Sequence, residues 1–204
     1  MAAVAEVAPA RRGSSARKPQ RSGGGAVARR AAADPSATAR SRVQLDVQKR
    51  VRAWTPRRAD IAAWAGAALG RRAANAELSV RLVGRAEGRK LNSQYRGKNY
   101  PTNVLSFPAG PWAAAPARAV QRASAAHIGV TPLGDLVICP PVLRAEALEQ
   151  RKTLRAHWAH LVVHGSLHLI GYDHERDADA RRMERREIAV LRRLGFTNPY
   201  LSTS

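Results

Sequence analysis

The chain has 204 residues and carries 35 Lys plus Arg against 15 Asp plus Glu, a formal charge of +20, and that length fits one domain with room for a tail. Such a charge attracts polyanions, nucleic acid before anionic membrane. However, 30 of the basic residues are Arg and Ala is abundant, as the codon bias of a GC-rich genome also produces, so the charge alone names no partner. A single cysteine, Cys139, excludes an intrachain disulfide, a Cys-based zinc finger and an iron–sulfur cluster. No apolar run approaches the roughly 18 residues of a membrane span, and the N-terminus lacks the apolar core of a secretory signal, so a soluble cytoplasmic protein is expected.

Residues 1–41 are Ala, Arg, Gly, Ser and Pro with almost no large apolar side chain, and include the tract Ser22-Gly23-Gly24-Gly25. A segment of this kind cannot bury enough surface to offset its chain entropy, which predicts a disordered basic tail. It holds eight basic and two acidic residues, so +6 of the charge lies there and +14 on residues 42–204, the expected domain. Its Arg-rich, acid-poor make-up also matches an organelle transit peptide, although it shows no amphipathic helix.

Val43, Leu45 and Val47 alternate with polar residues and predict a strand, and Thr55-Pro56 offers an N-cap and first helical position ahead of a helix over 61–69 that stops at Gly70. Leu78, Val80 and Leu82 predict a second strand, followed by a polar helix ending near Tyr95 and a short apolar strand over 103–107. An Ala/Pro loop is expected over 108–121. A further strand over 136–139 is bounded by Gly134-Asp135 and Pro140-Pro141, and 142–150 reads as a helix. Two helices close the chain, one over 153–170 ending at Gly171 and one over 176–194 ending at Gly195. Interleaved helices and strands predict an α+β (mixed α/β) fold: a small single-domain sandwich with a roughly four-stranded mixed sheet, packed with helices, the histidine-rich helix lying near the C-terminus.

Five of the six histidines fall between residues 157 and 174. His164 and His168, four apart on the predicted helix, stack on one face one turn apart, and Gly171 can reverse the chain so that His174 returns toward them. Three neutral nitrogens with a fourth position open to water is the arrangement of a catalytic zinc site. His160 with His164 is an equally good pair, but three residues on successive turns cannot meet one ion. The pair beside the Gly171 turn is the one His174 can join, which leaves His157 and His160 to an outer, packing or substrate role. The pattern is similar to the His-Glu-x-x-His helix of metalloproteases, except that Gly165 stands where those carry the general-base Glu, so a peptidase is not expected.

The segment His164-Gly-Ser-Leu-His-Leu-Ile-Gly-Tyr-Asp-His174 resembles the zinc signature of the YbeY family, bacterial endoribonucleases of rRNA maturation. Leu91-Asn-Ser-Gln-Tyr-Arg96-Gly-Lys-Asn-Tyr-Pro-Thr-Asn-Val-Leu-Ser-Phe-Pro108 and Leu133-Gly-Asp-Leu-Val-Ile-Cys139 resemble two further motifs of that family, in the same order. The resemblance covers about residues 43–201 and leaves out the tail and the Ala-rich stretch around 111–127. It implies that His164, His168 and His174 hold one Zn2+ and that Arg96 is the required arginine beside it. It also implies a single-strand-specific, zinc-dependent endoribonuclease of 16S rRNA 3′-end maturation and ribosome quality control. The implied partners are single-stranded RNA, rRNA and the small ribosomal subunit, with neither DNA nor membrane.

Arg96 has a physical case of its own, since guanidinium stays charged and its fork matches a phosphate. Lys98 offers a second phosphate contact or is a surface lysine. Asp173 either orients a ligand histidine or caps the last helix, Asn103 and Ser106 read as structural, and Glu184 and Glu187 read as salt-bridge or solvent residues. Zinc-bound hydroxide and the RNA 2′-hydroxyl are both open as the attacking group. Two other classes compete: a non-catalytic ribosome-assembly or RNA-binding factor with a zinc site, and a small-molecule metal hydrolase, which calls for a deep apolar pocket rather than a basic groove.

Overall fold

In the computed structural model, which describes residues 43–110 and 130–201, the elements in chain order are β1 (Gln44–Lys49), α1 (Arg58–Leu69), a 3₁₀ turn (Gly70–Ala73), β2 (Ala76–Leu82), α2 (Arg85–Arg96), β3 (Val104–Pro108), β4 (Thr131–Ile138), α3 (Pro140–Glu149), α4 (Leu154–Leu169) and α5 (Asp177–Arg193). The sheet order is β1-β2-β4-β3, with β1, β2 and β4 parallel and β3 antiparallel at one edge. This is the expected α+β fold with a four-stranded mixed sheet.

The period-2 pattern decides what each face covers. Leu78, Val80 and Leu82 of β2, Leu136 and Ile138 of β4 and Val104 of β3 share one buried cluster with Trp64, Ala65 and Ala68 of α1, Trp158, Ala159, Leu161, Val162 and Val163 of α4, and Met183, Val190 and Leu191 of α5. The alternate residues Leu105 and Val137, with Val83 and Cys139, form a smaller cluster on the opposite face against Leu91 of α2 and Val142 of α3. Cys139 is buried there, and burial pushes its thiol pKa up, so it is an inert core residue.

Three expectations need adjustment. α1 begins at Arg58, because the Arg57 carbonyl accepts the first helical N–H groups, from Asp60 at 2.9 Å and Ile61 at 3.2 Å. Thr55 stays outside as acceptor for Lys49 Nζ at 3.4 Å. β4 starts at Thr131, five residues before the predicted strand, since pairing with β2 runs from Ala76↔Thr131 and an irregularity at Glu77/Leu78 carries the ladder past the Gly134-Asp135 pair expected to bound it. Pro108 is the last residue of β3, paired with Gly134, rather than the start of a loop. The expected tail over 1–41 and the loop beyond residue 110 fall outside the described residues. Among the described residues, no helix is long and apolar enough to cross a membrane.

Candidate metal centre

Helix α4 carries the histidines through the middle of the molecule. Thr153 caps it, its hydroxyl accepting the Ala156 N–H at 3.3 Å, and every residue from 157 to 169 is buried. A helix buried all round has no solvated side on which to leave imidazoles, so each histidine must find a partner or a ligand. Gly165 explains how closely the helix lies on the sheet. A Cβ there would stand 2.8 Å from Leu136 Cδ2 and 3.1 Å from Ser106 Oγ, and the Ser106 hydroxyl donates to the Gly165 carbonyl at 3.3 Å. The position that carries a general base in metalloproteases therefore points into the sheet here. Ser106 holds the helix in place, which is the structural role expected of it.

At its C-terminal end α4 closes with paired reverse bonds, Gly171 N–H to His168 O at 3.0 Å and Tyr172 N–H to Leu167 O at 3.1 Å, with Gly171 at φ +87. A side chain at that φ is strained, which is why glycine stands at the turn. Arg72 from the 3₁₀ turn donates to the Ile170 carbonyl at 3.2 Å. The chain reverses and brings His174 back as the spacing predicted. Asp173 accepts the His174 backbone N–H at 2.7 Å; it neither orients an imidazole nor caps α5, whose N-cap is Arg176.

His164, His168 and His174 each offer a ring nitrogen within 4.8 Å of the others, a grouping compatible with a metal ion. His164 Nε2 and His168 Nε2 lie 3.1 Å apart, close to the roughly 3.3 Å between neighbouring ligands of a tetrahedral ion with bonds near 2.05 Å. His174 Nε2 is buried with no hydrogen-bond partner among the described residues. A buried orphan nitrogen beside two further ring nitrogens 3.1 Å apart is a donor set that a borderline divalent cation fits. Burial, and then the neighbouring His164 and His174, push the His168 pKa from 6.5 down to about 2. Burial followed by His164 also lowers that of His174. Both rings are thereby kept neutral, the form that binds metal.

That neutrality has a measurable sign. Between about pH 2 and 6.5 the unfolded chain protonates His168 and the folded metal-free protein does not, so stability falls as pH drops below 6.5. The slope is about 1.4 kcal/mol per pH unit for this histidine, and His174 adds in the same direction. Denaturation of the metal-free protein should show a lower midpoint at about pH 5.5 than at 7.5; equal midpoints would contradict burial of neutral imidazoles.

Two carboxylates, Glu187 and Glu146, hold His157, His160 and His164. Glu187 of α5 is fully buried and paired with His160 and His164, so of the two readings offered for it the salt bridge holds and the solvent residue does not. One oxygen accepts from His164 Nδ1 at 2.7 Å, and the other accepts from His160 Nε2 at 3.0 Å and from the Tyr200 hydroxyl. Burial raises its pKa, but the adjoining His164 and the bonds from His160 and His164 outweigh this and hold the carboxyl below its usual range. Burial and the Glu187 charge push the Tyr200 hydroxyl pKa well up, keeping it a donor. His160, His164 and Glu187 also form a second grouping within metal-binding distance. There His160 Nε2 and His164 Nδ1 each pair with a Glu187 oxygen, at 3.0 and 2.7 Å, whereas the first grouping contains His174 Nε2, which has no partner among the described residues and so favours that cluster. His157 donates to Glu146 at 2.9 Å, and Asn103 Nδ2 donates to the same carboxylate at 3.0 and 3.1 Å, tying α3, α4 and the start of β3 together. The sequence did hold a signal for Glu187: it shares the buried stripe of Met183, Val190 and Leu191, where a carboxylate needs a partner. Glu184 is exposed, as expected.

Arg96 is the last residue of α2 and half-buried, and its positive charge is the smallest of the contributions that lower the His174 pKa, after burial and His164. Lys98 stands with its ammonium 5.8 Å from the Tyr100 ring centroid.

A small α+β domain whose buried helix and following turn gather three histidine ring nitrogens within 4.8 Å of one another has a site compatible with a metal-binding protein. The family model described as Endoribonuclease YbeY matches residues 44–195, and the chain belongs to the YbeY family. Relatives named Endoribonuclease YbeY agree. That of Pseudomonas putida (strain W619) is 49% identical over 158 residues, 78% of this chain and 93% of its own. That of Stutzerimonas stutzeri (strain A1501) is 46% identical over 162 residues, 79% of this chain and 94% of its own. That of Azoarcus sp. (strain BH72) is 51% identical over 160 residues, 76% of this chain and 59% of its own. A solution structure of a Thermotoga maritima protein aligns at TM-score 0.47 and 21% identity, over 77% of this chain and 95% of that one.

Proposed function

We propose that this protein is a zinc-dependent endoribonuclease that cleaves single-stranded RNA, with His164, His168 and His174 holding one ion and Arg96 acting on the scissile phosphate. The observation that carries the reading is the convergence of three ring nitrogens within 4.8 Å of one another, in a chain of the YbeY family, with the charge of Arg96 felt at His174. A divalent metal bound at three neutral nitrogens supplies polarisation of a phosphoryl oxygen and activation of water.

The chain's own groups divide the remaining work. Arg96 neutralises charge accumulating on the non-bridging oxygens, a task suited to a group that never deprotonates and matches phosphate with two parallel donors. Position 165 faces the sheet, and both Glu187 oxygens are engaged by His164, His160 and Tyr200, so neither supplies a general base at the cluster. The attacking oxygen is then deprotonated without either of these groups, and product ends separate the two routes: a cyclic phosphate marks the RNA 2′-hydroxyl, and a free 3′-hydroxyl marks water.

The family resemblance further supports action in rRNA processing, at the 3′ end of 16S rRNA and in ribosome quality control, in the cytoplasm with the small ribosomal subunit as partner. Residues 42–204 form the catalytic domain in this reading and residues 1–41 a basic tail. The test compares wild type and Arg96→Ala on single-stranded and duplex RNA, with and without a chelator. Cleavage of the single strand should stop with chelator and fall about 100-fold or more in Arg96→Ala, mainly in kcat, with Arg96→Lys recovering only part. Cleavage insensitive to both changes would identify a contaminating nuclease and leave a non-catalytic RNA-binding factor as the better description.

A further inference from the structure

The segment that follows α5, over 195–201, packs against the histidine cluster. α5 stops at Gly195, with Gly195 N–H bonded to Arg192 O at 3.1 Å and Phe196 N–H to Leu191 O at 2.9 Å, and the chain folds back along α4. Phe196 sets its edge against Trp64 of α1 at 6.0 Å, Pro199 is buried, and the Asn198 side chain accepts the Tyr200 N–H at 3.0 Å. These contacts fix Tyr200 so that its ring meets His160 edge-on at 5.5 Å and its hydroxyl reaches Glu187.

We propose that Tyr200 and Glu187 are positioning residues of the metal centre: the C-terminal segment latches Glu187, and Glu187 holds His164 in the form that carries its proton on Nδ1 and turns the Nε2 lone pair toward His168. The proposal rests on the reading of His164 as a metal ligand. A carboxylate buried to 0% exposure must have its oxygens satisfied by donors, and here there are three, His164 Nδ1, His160 Nε2 and the Tyr200 hydroxyl. Because a neutral imidazole has one N–H, donating from Nδ1 to Glu187 at 2.7 Å leaves Nε2 as acceptor, the atom 3.1 Å from His168 Nε2. Tyr200 and His160 share the other oxygen, so without the hydroxyl that oxygen has one donor fewer, and the carboxylate can swing toward His160 and away from His164. A residue outside the three-histidine signature thereby governs one of its members, through a helix and a C-terminal turn that lie 23 and 36 positions downstream of His164.

Full-length wild type, Tyr200→Phe and Glu187→Gln would be compared in two ways. Zinc affinity is measured by competition with a fluorescent chelator, and the His164 tautomer of the metal-free protein is read from long-range proton–nitrogen NMR correlations. Tyr200→Phe keeps the ring against His160 and removes only the donor. We expect zinc binding to weaken about 10-fold in Tyr200→Phe and about 100-fold in Glu187→Gln, the range over which outer partners tune metal sites. We also expect His164 to be the Nδ1–H form in wild type and to lose that form in Glu187→Gln. A merely structural role for the C-terminal turn would lower thermal stability while leaving both readouts of the folded protein unchanged. An Nε2–H form in wild type, or an unchanged zinc Kd in Tyr200→Phe, overturns the proposal. If Glu187→Gln does not fold, Tyr200→Phe and the wild-type tautomer decide. If wild type binds no zinc, the metal reading fails separately, and the tautomer still decides whether Glu187 sets His164.

Discussion

Replacing His168 with alanine is expected to weaken zinc binding by more than about 100-fold and to remove metal-dependent RNA cleavage, with the fold retained. The loss should exceed the roughly 10- to 100-fold that follows from deleting an outer partner, because one of three direct donors is gone. His168 Nε2 lies 3.1 Å from His164 Nε2, so no rotation of the remaining rings replaces it. A second consequence tests the burial of this ring independently of any metal. The ring is buried and held neutral with a pKa of about 2, so its removal also takes away one group whose protonation favours the unfolded chain below pH 6.5. The metal-free variant should therefore lose stability less steeply on acidification than wild type, by about 1.4 kcal/mol per pH unit. Undiminished cleavage by a cleanly purified His168→Ala protein would remove this cluster from the chemistry.

Installing the metalloprotease glutamate at position 165 should destroy the fold rather than create a peptidase. A Cβ at Gly165 already meets Leu136 Cδ2 at 2.8 Å and Ser106 Oγ at 3.1 Å, and Leu136 and Ser106 are both at 0% exposure, so the layer has no slack. Gly165→Ala should cost about 1–3 kcal/mol through overpacking. Gly165→Glu adds an unpaired carboxylate wedged between helix and sheet, a penalty of several kcal/mol against a total stability of about 5–15 kcal/mol. Circular dichroism and a denaturant titration check the pair: a lowered midpoint for alanine and no cooperative transition for glutamate. A soluble Gly165→Glu protein that unfolds cooperatively would mean that position 165 opens toward the histidines instead of the sheet.

Much of this arrangement is legible from local pattern. The four-residue interval between His164 and His168, the glycine at 171 and the histidine three residues later are enough to bring three imidazoles together, because helical pitch and a left-handed turn are short-range geometry. Alternation in β2 and the stop at Gly171 follow from the same kind of information. Where a local signal and a ladder disagree, the ladder prevails: Gly134-Asp135 looks like the edge of a strand, yet pairing with β2 carries β4 back to Thr131. Arg96 is one arginine of 30 by composition, and only its motif singles it out in the sequence; in the fold its charge contributes to lowering the His174 pKa.

Glu187 marks the boundary between the two kinds of information. Its place on the stripe of Met183, Val190 and Leu191 announces a buried carboxylate, since i, i+3 and i+4 positions share a helix face. Which donors it takes is another matter. His160, His164 and Tyr200 reach it from another helix and from a turn beyond the end of α5, and no periodicity within a dozen residues encodes such a meeting. Composition and spacing were sufficient to exclude a thiolate site and to bring three histidines to one point. Long-range packing alone assigned the carboxylate that orients one of them, and it alone explained the glycine at 165 as a contact surface, because both depend on how α4 lies between the sheet and α5.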